Sequence, residues 1–420
     1  MNPTTIQIIA TCLFAIAVLH TFSTSVFQNL AHRHPSHAGL FHLLGEIEAV
    51  FGFWALVLVV SIALLVGGDE SVKYLESCNY TEPLFVFAIM VVAASKPALV
   101  FAQWLVHFMT VAINKSFRLP HHVVNYFVTL SVVPLLGSFI TEPAAMTLAA
   151  LLLKDKVFSR TSDVKLMYWT IGILFVNISI GGSLTSFAAP PILMVASAWT
   201  WDSLTVFKLL GTKAIVAVFI NAALVTFLLH RDIPAFEIKK SEEVMPISVQ
   251  VIHLLFLSGV VIFAHHPVVF IGLLLFFMGY TQAYSQYQNP LMLKESLMVA
   301  FFLAGLVVLG GLQQWWLQPV LEGMSATWIF FGTIGLTALT DNAALTYLGS
   351  LVQGTTDEFK YALVAGALTG GGLTVIANAP NPAGMAILKE YFPEGSISAL
   401  YLFLAALPPT LIAIVAFQFF

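Results

Sequence analysis

Charge is what this chain has least of. Of its 420 residues only 9% are Asp, Glu, Lys or Arg, and 59% are hydrophobic. A soluble domain carries about 25% charged residues, so a water-soluble globule is excluded and the solvent of most of the chain is lipid. The net charge of −4 offers nothing to nucleic acid as a partner. Two cysteines, Cys12 and Cys78, cannot build a disulfide framework. No basic region or small-residue cleavage site precedes the first apolar run, which reads as a retained helix over 5–28. His-Glu-x-x-His and the nucleophile elbow are absent too, and Gly370-Gly371-Gly372 lacks the lysine of a phosphate loop, so an enzyme is not expected.

What is present is a pair of motifs that occurs twice. Thr141-Glu142-Pro143-Ala144-Ala145-Met146-Thr147 is echoed by Thr340-Asp341-Asn342-Ala343-Ala344-Leu345-Thr346. Each is followed by a glycine pair, a threonine and prolines: Gly181-Gly182-Ser183-Leu184-Thr185 up to Pro190-Pro191, and Gly371-Gly372-Leu373-Thr374 up to Pro380-Asn381-Pro382. One copy alone is weak, because Gly and Pro often serve packing in membrane helices. The same order in both halves is the signature of an internal repeat.

A span needs about 20 apolar residues. That length gives helices near 5–28, 43–67, 84–112, 167–199, 207–230, 248–264, 267–288, 295–316, 359–388 and 397–419. Two further apolar stretches, 123–153 and 327–353, hold the acidic motifs and read as spans or as re-entrant hairpins. With both as hairpins, one set of loops holds 12 Lys and Arg and the other only Lys73 and Lys360; with both as spans the loops divide 10 against 4. The positive-inside rule favours the hairpins. Each half then has five crossings, and an odd number inverts the second half relative to the first.

Glycine pairs and prolines interrupt a helix, and in lipid such breaks are tolerated where they line a polar cavity. Freed carbonyls there can coordinate a cation, and half-helix N-termini can face an anion. Hydroxyls and amides accompany both breaks: Asn177, Ser179, Ser183, Thr185 and Ser186 in the first half, and Thr374, Asn378 and Asn381 in the second. Such oxygen-rich groups suit a hard cation such as sodium. Glu142 and Asp341 supply the charge. A carboxylate at mid-membrane costs about 2.5–3.5 kcal/mol and persists only paired, hydrated or protonated. One that holds either a proton or a sodium ion is the core of an antiport mechanism.

Lys96, in Ser95-Lys96-Pro97 near the middle of the helix over 84–112, reads either as charge compensation or proton coupling, or as a static ion pair. Glu46 and Glu48 read as a hydrated helix N-terminus. His32, His34, His37 and His42 read as a solvated loop, since no carboxylate or cysteine completes a metal site.

The run Ala338-Leu339-Thr340-Asp341-Asn342-Ala343-Ala344-Leu345-Thr346 resembles the hairpin motif of the ion transporter superfamily. Residues 177–191 resemble its broken helix. In length and motif order the whole chain is similar to the bacterial sodium/proton antiporter family within it. The resemblance implies two inverted repeats, a homodimer with moving transport domains, and ion binding at the hairpin tips and breaks. By position those residues are Thr141, Glu142, Asn177, Gly182, Ser183 and Thr185, and Thr340, Asp341, Asn342, Gly372, Thr374 and Asn378. A sodium site is expected near Glu142, Asn177, Asp341 and Asn378. Dicarboxylate carriers of the superfamily have Ser-Asn-Thr type tips; here Thr-Glu-Pro and Thr-Asp-Asn would repel an anionic substrate unless protonated.

The expectation is an all-α polytopic membrane protein of two inverted five-helix repeats, each with a re-entrant hairpin and a Gly/Pro-broken helix. Residues 1–230 form the N-terminal repeat, 231–247 a cytoplasmic linker and 248–420 the C-terminal repeat. The expected activity is sodium/proton antiport by alternating access, without a cofactor, in the cell inner membrane. Its expected partners are lipid, small inorganic ions and a second copy of the chain. The alternative is a sodium- or proton-coupled symporter of a small anion, for which Lys96 and the half-helix N-termini speak.

Overall fold

The computed structural model describes residues 3–236 and 245–420, without the side chains of Ser25, Gln28, His32, Pro35 and Ile47. The middle of the expected linker and the His32 side chain therefore lie outside the described residues. Every regular element among them is helical.

Helix α1 (Thr5–Thr21) starts at a reciprocal cap between Thr4 and Gln7. It ends earlier than expected, and α2 (Thr24–Arg33) and α3 (Ala38–Leu44) follow. The histidine segment is thus partly helical rather than a loop, although His34, His37 and His42 are exposed. Next come α4 (Ile47–Leu65), α5 (Gly68–Ser77) and α6 (Thr81–Ala93), the last two bent by 60° at their junction. The helix expected over 84–112 is two elements. Pro97 cannot donate to the preceding turn and Ser95 is extended, so α6 stops and α7 (Lys96–Phe117) begins with Lys96 as its first residue and Pro97 in its first turn.

Helices α8 (His121–Ile140) and α9 (Glu142–Lys156) form an antiparallel hairpin with Thr141 alone between them. Helix α10 (Val164–Gly181) passes through a short turn at Gly182–Leu184 before α11 (Pro190–Ala196). Helix α12 (Ser203–Val206) runs through a π turn into α13 (Thr212–Leu229). In the second half come α14 (Ile247–Ile262), α15 (Pro267–Ala283), α16 (Leu293–Gly310) and α17 (Gln314–Leu321). The second hairpin is α18 (Ala326–Thr337) and α19 (Asn342–Ser350). The second broken helix is α20 (Asp357–Gly370) and α21 (Asn381–Leu388), and α22 (Ala399–Phe419) closes the chain. The prolines of the motifs do not interrupt helices but start them. Pro143, Pro190-Pro191 and Pro382 each sit in a first turn, where the missing N–H costs nothing.

Seven helices among the described residues are long and apolar enough to cross a membrane, or eight if the bent pair is one span. The chain is a multi-pass membrane protein. The two hairpins are unequal: α8 is 20 residues long and qualifies as a span by itself, whereas α18 has 12 residues.

The helices gather into two bundles. In one, α1, α4, α6, α14, α15 and α16 pack together; in the other, α8 to α11, α13 and α18 to α22. Small residues let backbones touch within each. A β-carbon on Gly305 of α16 would overlap the Gly52 backbone of α4, and one on Gly172 of α10 would lie 2.7 Å from the Ala405 backbone of α22. In the second bundle the halves exchange partners: α11 packs on α19, and α21 on α9.

Candidate ion-binding site

In the second bundle the second break packs on α10 just ahead of the first break. Glycine is required there by close approach. A β-carbon on Gly182 would overlap Glu142 Oε1, one on Gly371 would overlap Ser179 Oγ, and one on Gly372 would overlap the Val176 backbone. The breaks are built alike. Thr185 and Thr374 are both extended. Each donates its hydroxyl to a carbonyl near the end of its own hairpin's first arm, Thr185 to Ser138 O at 2.7 Å and Thr374 to Ala338 O at 2.9 Å. Gly181 packs on the Pro134 carbonyl and Gly370 on the Ile334 carbonyl, each at 2.7 Å from a β-carbon built on the glycine.

Glu142 is fully buried at the first residue of α9. Its Oε2 accepts a hydrogen bond of 2.9 Å from Asn378 Nδ2 of the other half. Its Oε1 has no partner among the described residues; nor have Thr141 Oγ1, Asn378 Oδ1, Asn381 Oδ1 or either amide atom of Asn342. All five residues are buried. Unpartnered buried polar atoms are costly, and oxygens are the ligands a hard cation takes. Thr141, with φ 72° and ψ 151°, holds the tip in a backbone region that a β-branched residue rarely enters; such strain, about 1–3 kcal/mol, clusters at functional sites.

The second carboxyl group is placed differently. Asp341 is half-buried and caps α19, its Oδ1 accepting from Ala343 N at 2.8 Å and Ala344 N at 3.3 Å. It faces a cavity of about 200 Å³ between the two bundles. At the tip of this half it is Asn342, not Asp341, that lies against the Gly371 break. Thr340 donates its hydroxyl to Leu336 O and lines the same cavity as Asp341.

The amide of Asn177 is engaged elsewhere. Its Nδ2 donates to Leu130 O at 2.8 Å and Val218 O at 3.3 Å, and its Oδ1 accepts from Asn221 Nδ2 at 2.8 Å. Ser183 donates to Ile180 O within its own turn. Lys96 is half-buried at the head of α7. Two residues that carried no motif signal do the joining. Ser138 donates to Gly181 O and accepts from Leu184 N, tying the first hairpin to the first break. Asn221 ties α13 to α10. Both are common polar residues inside apolar helices, and only their neighbours in space mark them.

A second cavity, of about 230 Å³, lies where the other end of the first break meets the first bundle, lined by Glu82, Ser186, Ser197, Asp202, Ser203 and His265 among others. Phe187 and Leu193 line both it and a much smaller cavity at Thr141 and Pro143.

Over residues 5–420 the sequence matches the family described as "Putative Na+/H+ antiporter". The chain belongs to this family. Its activity is secondary active sodium/proton antiport, which decides against the anion symporter left open by the sequence. Among curated proteins none matches the chain.

Proposed function

We propose that sodium and protons are exchanged where the second break meets the first hairpin tip, with Glu142 as the central carboxylate and Asn378, Thr141, Asn342 and freed backbone carbonyls as further ligands. The observation that carries this reading is the Asn378–Glu142 hydrogen bond together with the unpartnered oxygens around it. A carboxylate that loses its proton here gains its counter-charge from an entering cation, so one site serves both ions in turn. Asp341 is the second titrating group, placed where the two bundles meet. Lys96 compensates charge when the site is empty.

The like-built breaks, and the exchange of partners between halves, support two inverted repeats that together form one transport unit. Cavities at the seam between the bundles support alternating access by movement of the second bundle against the first. The first bundle then stays fixed and pairs with a second copy of the chain in the cell inner membrane, with the basic loops on the cytoplasmic side.

The test is transport in liposomes with a trapped pH dye and an imposed proton gradient. Sodium added outside dequenches the dye in the wild type and fails to do so in Glu142→Gln. An undiminished sodium response in that variant, at equal protein incorporation, overturns the assignment.

A further inference from the structure

Three segments far apart in the chain meet at the cavity of about 230 Å³ beside the first break. They are the start of α6 with Glu82, the start of α12 with Asp202 and Ser203, and the turn between α14 and α15 with His265. In the topology proposed above, all three lie on the side opposite the basic loops. Asp202 and His265 are exposed, so the cavity has a mouth on that side. At its inner end Phe187 and Leu193 also line the small cavity at Thr141, the residue before Glu142. The larger cavity is thus an approach to Glu142 from the non-cytoplasmic side.

Glu82 is the buried acidic group on this approach. It is 8% exposed and makes no ion pair among the described residues. Its Oε1 accepts from Ser197 Oγ at 2.5 Å and from Asn79 Nδ2 at 3.4 Å. Both bonds go to one oxygen, which leaves Oε2 for the cavity. A buried carboxylate needs a counter-charge or water, and among the described residues no lysine or arginine lines this cavity. Three hydroxyls do line it, but Ser186 and Ser203 bond each other at 3.1 Å and Ser197 serves Glu82. A bare ion takes about six oxygens, more than this wall supplies. The volume has room instead for an ion that keeps much of its water.

We propose that Glu82 is an outer station for hydrated sodium, from which the ion passes Phe187 to reach Glu142. This rests on the exchange site proposed above and adds a second carboxylate to the path. A charge in a narrow, weakly polar cleft concentrates the opposite ion there. Glu82 therefore sets how much outside sodium is needed, not how fast the loaded carrier turns over. The bond from Ser197 of the second bundle to Glu82 of the first also crosses the seam between them. A latch is thus the competing account of Glu82, and removing the Ser197 hydroxyl separates latch from charge.

The experiment is sodium-driven proton movement in right-side-out membrane vesicles, from cells that lack other sodium/proton antiporters and produce the full-length chain. Sodium is titrated outside at low and at high choline chloride. Glu82→Gln raises the half-maximal sodium concentration about tenfold at low salt, the lower end of what a focused field gives, and leaves the maximal rate near wild type. At high choline chloride wild type and variant converge, because salt screens the field. Glu82→Asp stays close to wild type, and adding His265→Glu to Glu82→Gln restores most of the loss by placing a carboxylate on another wall. Ser197→Ala leaves the half-maximum near wild type. An unchanged half-maximum in Glu82→Gln, an equal shift in Ser197→Ala, a shift that persists at high salt, or loss of all exchange overturns the proposal. If Glu82→Gln is not produced, His265→Glu alone decides: it lowers the half-maximum at low salt, and no lowering overturns the proposal. Glu142→Gln in the same vesicles keeps the two readings apart. Exchange surviving there overturns the inner site, whereas its loss beside an unchanged Glu82→Gln overturns only the outer one.

Discussion

Glu142 and Asn378 stand 236 positions apart in the chain and meet across 2.9 Å, the first at a hairpin tip, the second in the break of the opposite half. The bond makes the site a joint product of both halves. Removing the amide takes away one ligand without touching the charge. Asn378→Ala is expected to weaken sodium about tenfold or more, the range for a hydrogen bond to a charged group. It should leave a sodium response at high sodium, whereas Glu142→Gln leaves none. The half-maximal sodium concentration in proteoliposomes measures this.

The glycines of the two breaks should respond to alanine in different ways. At Gly182 the added methyl meets the Glu142 side chain from Cγ to Oε1. Gly182→Ala should displace the Glu142 side chain, lose exchange, and cost less stability than the backbone clash at Gly372. At Gly372 it meets the Val176 backbone, which cannot yield. Gly372→Ala should lower stability by about 1–3 kcal/mol or more, as overpacking does. Thermal unfolding in detergent, set beside transport, separates the two.

Asn177 was expected among the ion ligands, and its amide instead joins α8, α10 and α13 through Leu130 O, Val218 O and Asn221. Asn177→Ala leaves Leu130 O, which Pro134 cannot bond within α8, without a donor at about 1–3 kcal/mol, and takes from Asn221 one of its two acceptors. The expected result is a marked drop in melting temperature, with the sodium affinity of the surviving folded protein unchanged. A lowered sodium affinity at wild-type stability would return Asn177 to the site.

Phe187 and Leu193 line both the 230 Å³ cavity and the small one at Thr141. Removing the ring should join them. In a background with Cys12 and Cys78 replaced by serine, a cysteine substituted for Thr141 should react slowly with a membrane-impermeant thiol reagent. Adding Phe187→Ala should speed the reaction from one side of the membrane only. That side is also the side on which the cavity opens.

Lys154, at the end of α9, donates to Glu390, just past α21, at 2.8 Å. This ion pair joins the first hairpin to the second broken helix outside the spans. The hydrogen bond to Lys154 holds the Glu390 carboxyl below its usual 4.5, and the same bond raises Lys154 above 10.5. A lowered carboxyl stabilises the fold above its unfolded value and loses that contribution as pH falls through the folded one. A raised lysine contributes below its unfolded value and loses it as pH rises through the folded one. The pair therefore adds its small, salt-sensitive share between these limits. Glu390→Gln should flatten the fall in melting temperature below pH 4.5 and change little at neutral pH.

Much of the fold was legible because lipid punishes ambiguity: an apolar run of span length has to be helical there. The duplicated motifs fell on hairpin tips and breaks because only glycine permits the close approaches at Gly182 and Gly372. Less legible were the ends of elements. Lys96 counted as mid-helix, since the hydropathy runs on through Ser95 and Pro97, yet the missing proline N–H ends one helix and starts another. Asp341 and Glu142 look equivalent in sequence and are not. One is a half-buried helix cap facing a cavity, and the other is fully buried against the opposite break.

The sequence by itself determined that this chain lives in a membrane, that its acidic motifs and helix breaks come in pairs, and which glycines those breaks require. These are local matters of hydropathy, backbone freedom and repetition. Tertiary structure alone decided which groups meet. The exchange of partners between the halves brings Asn378 to Glu142, turns Asn177 towards Asn221, and surrounds Asp341 with rings from four helices. A hydrogen bond or a cavity depends on ångström-scale distances between segments that no spacing along the chain specifies.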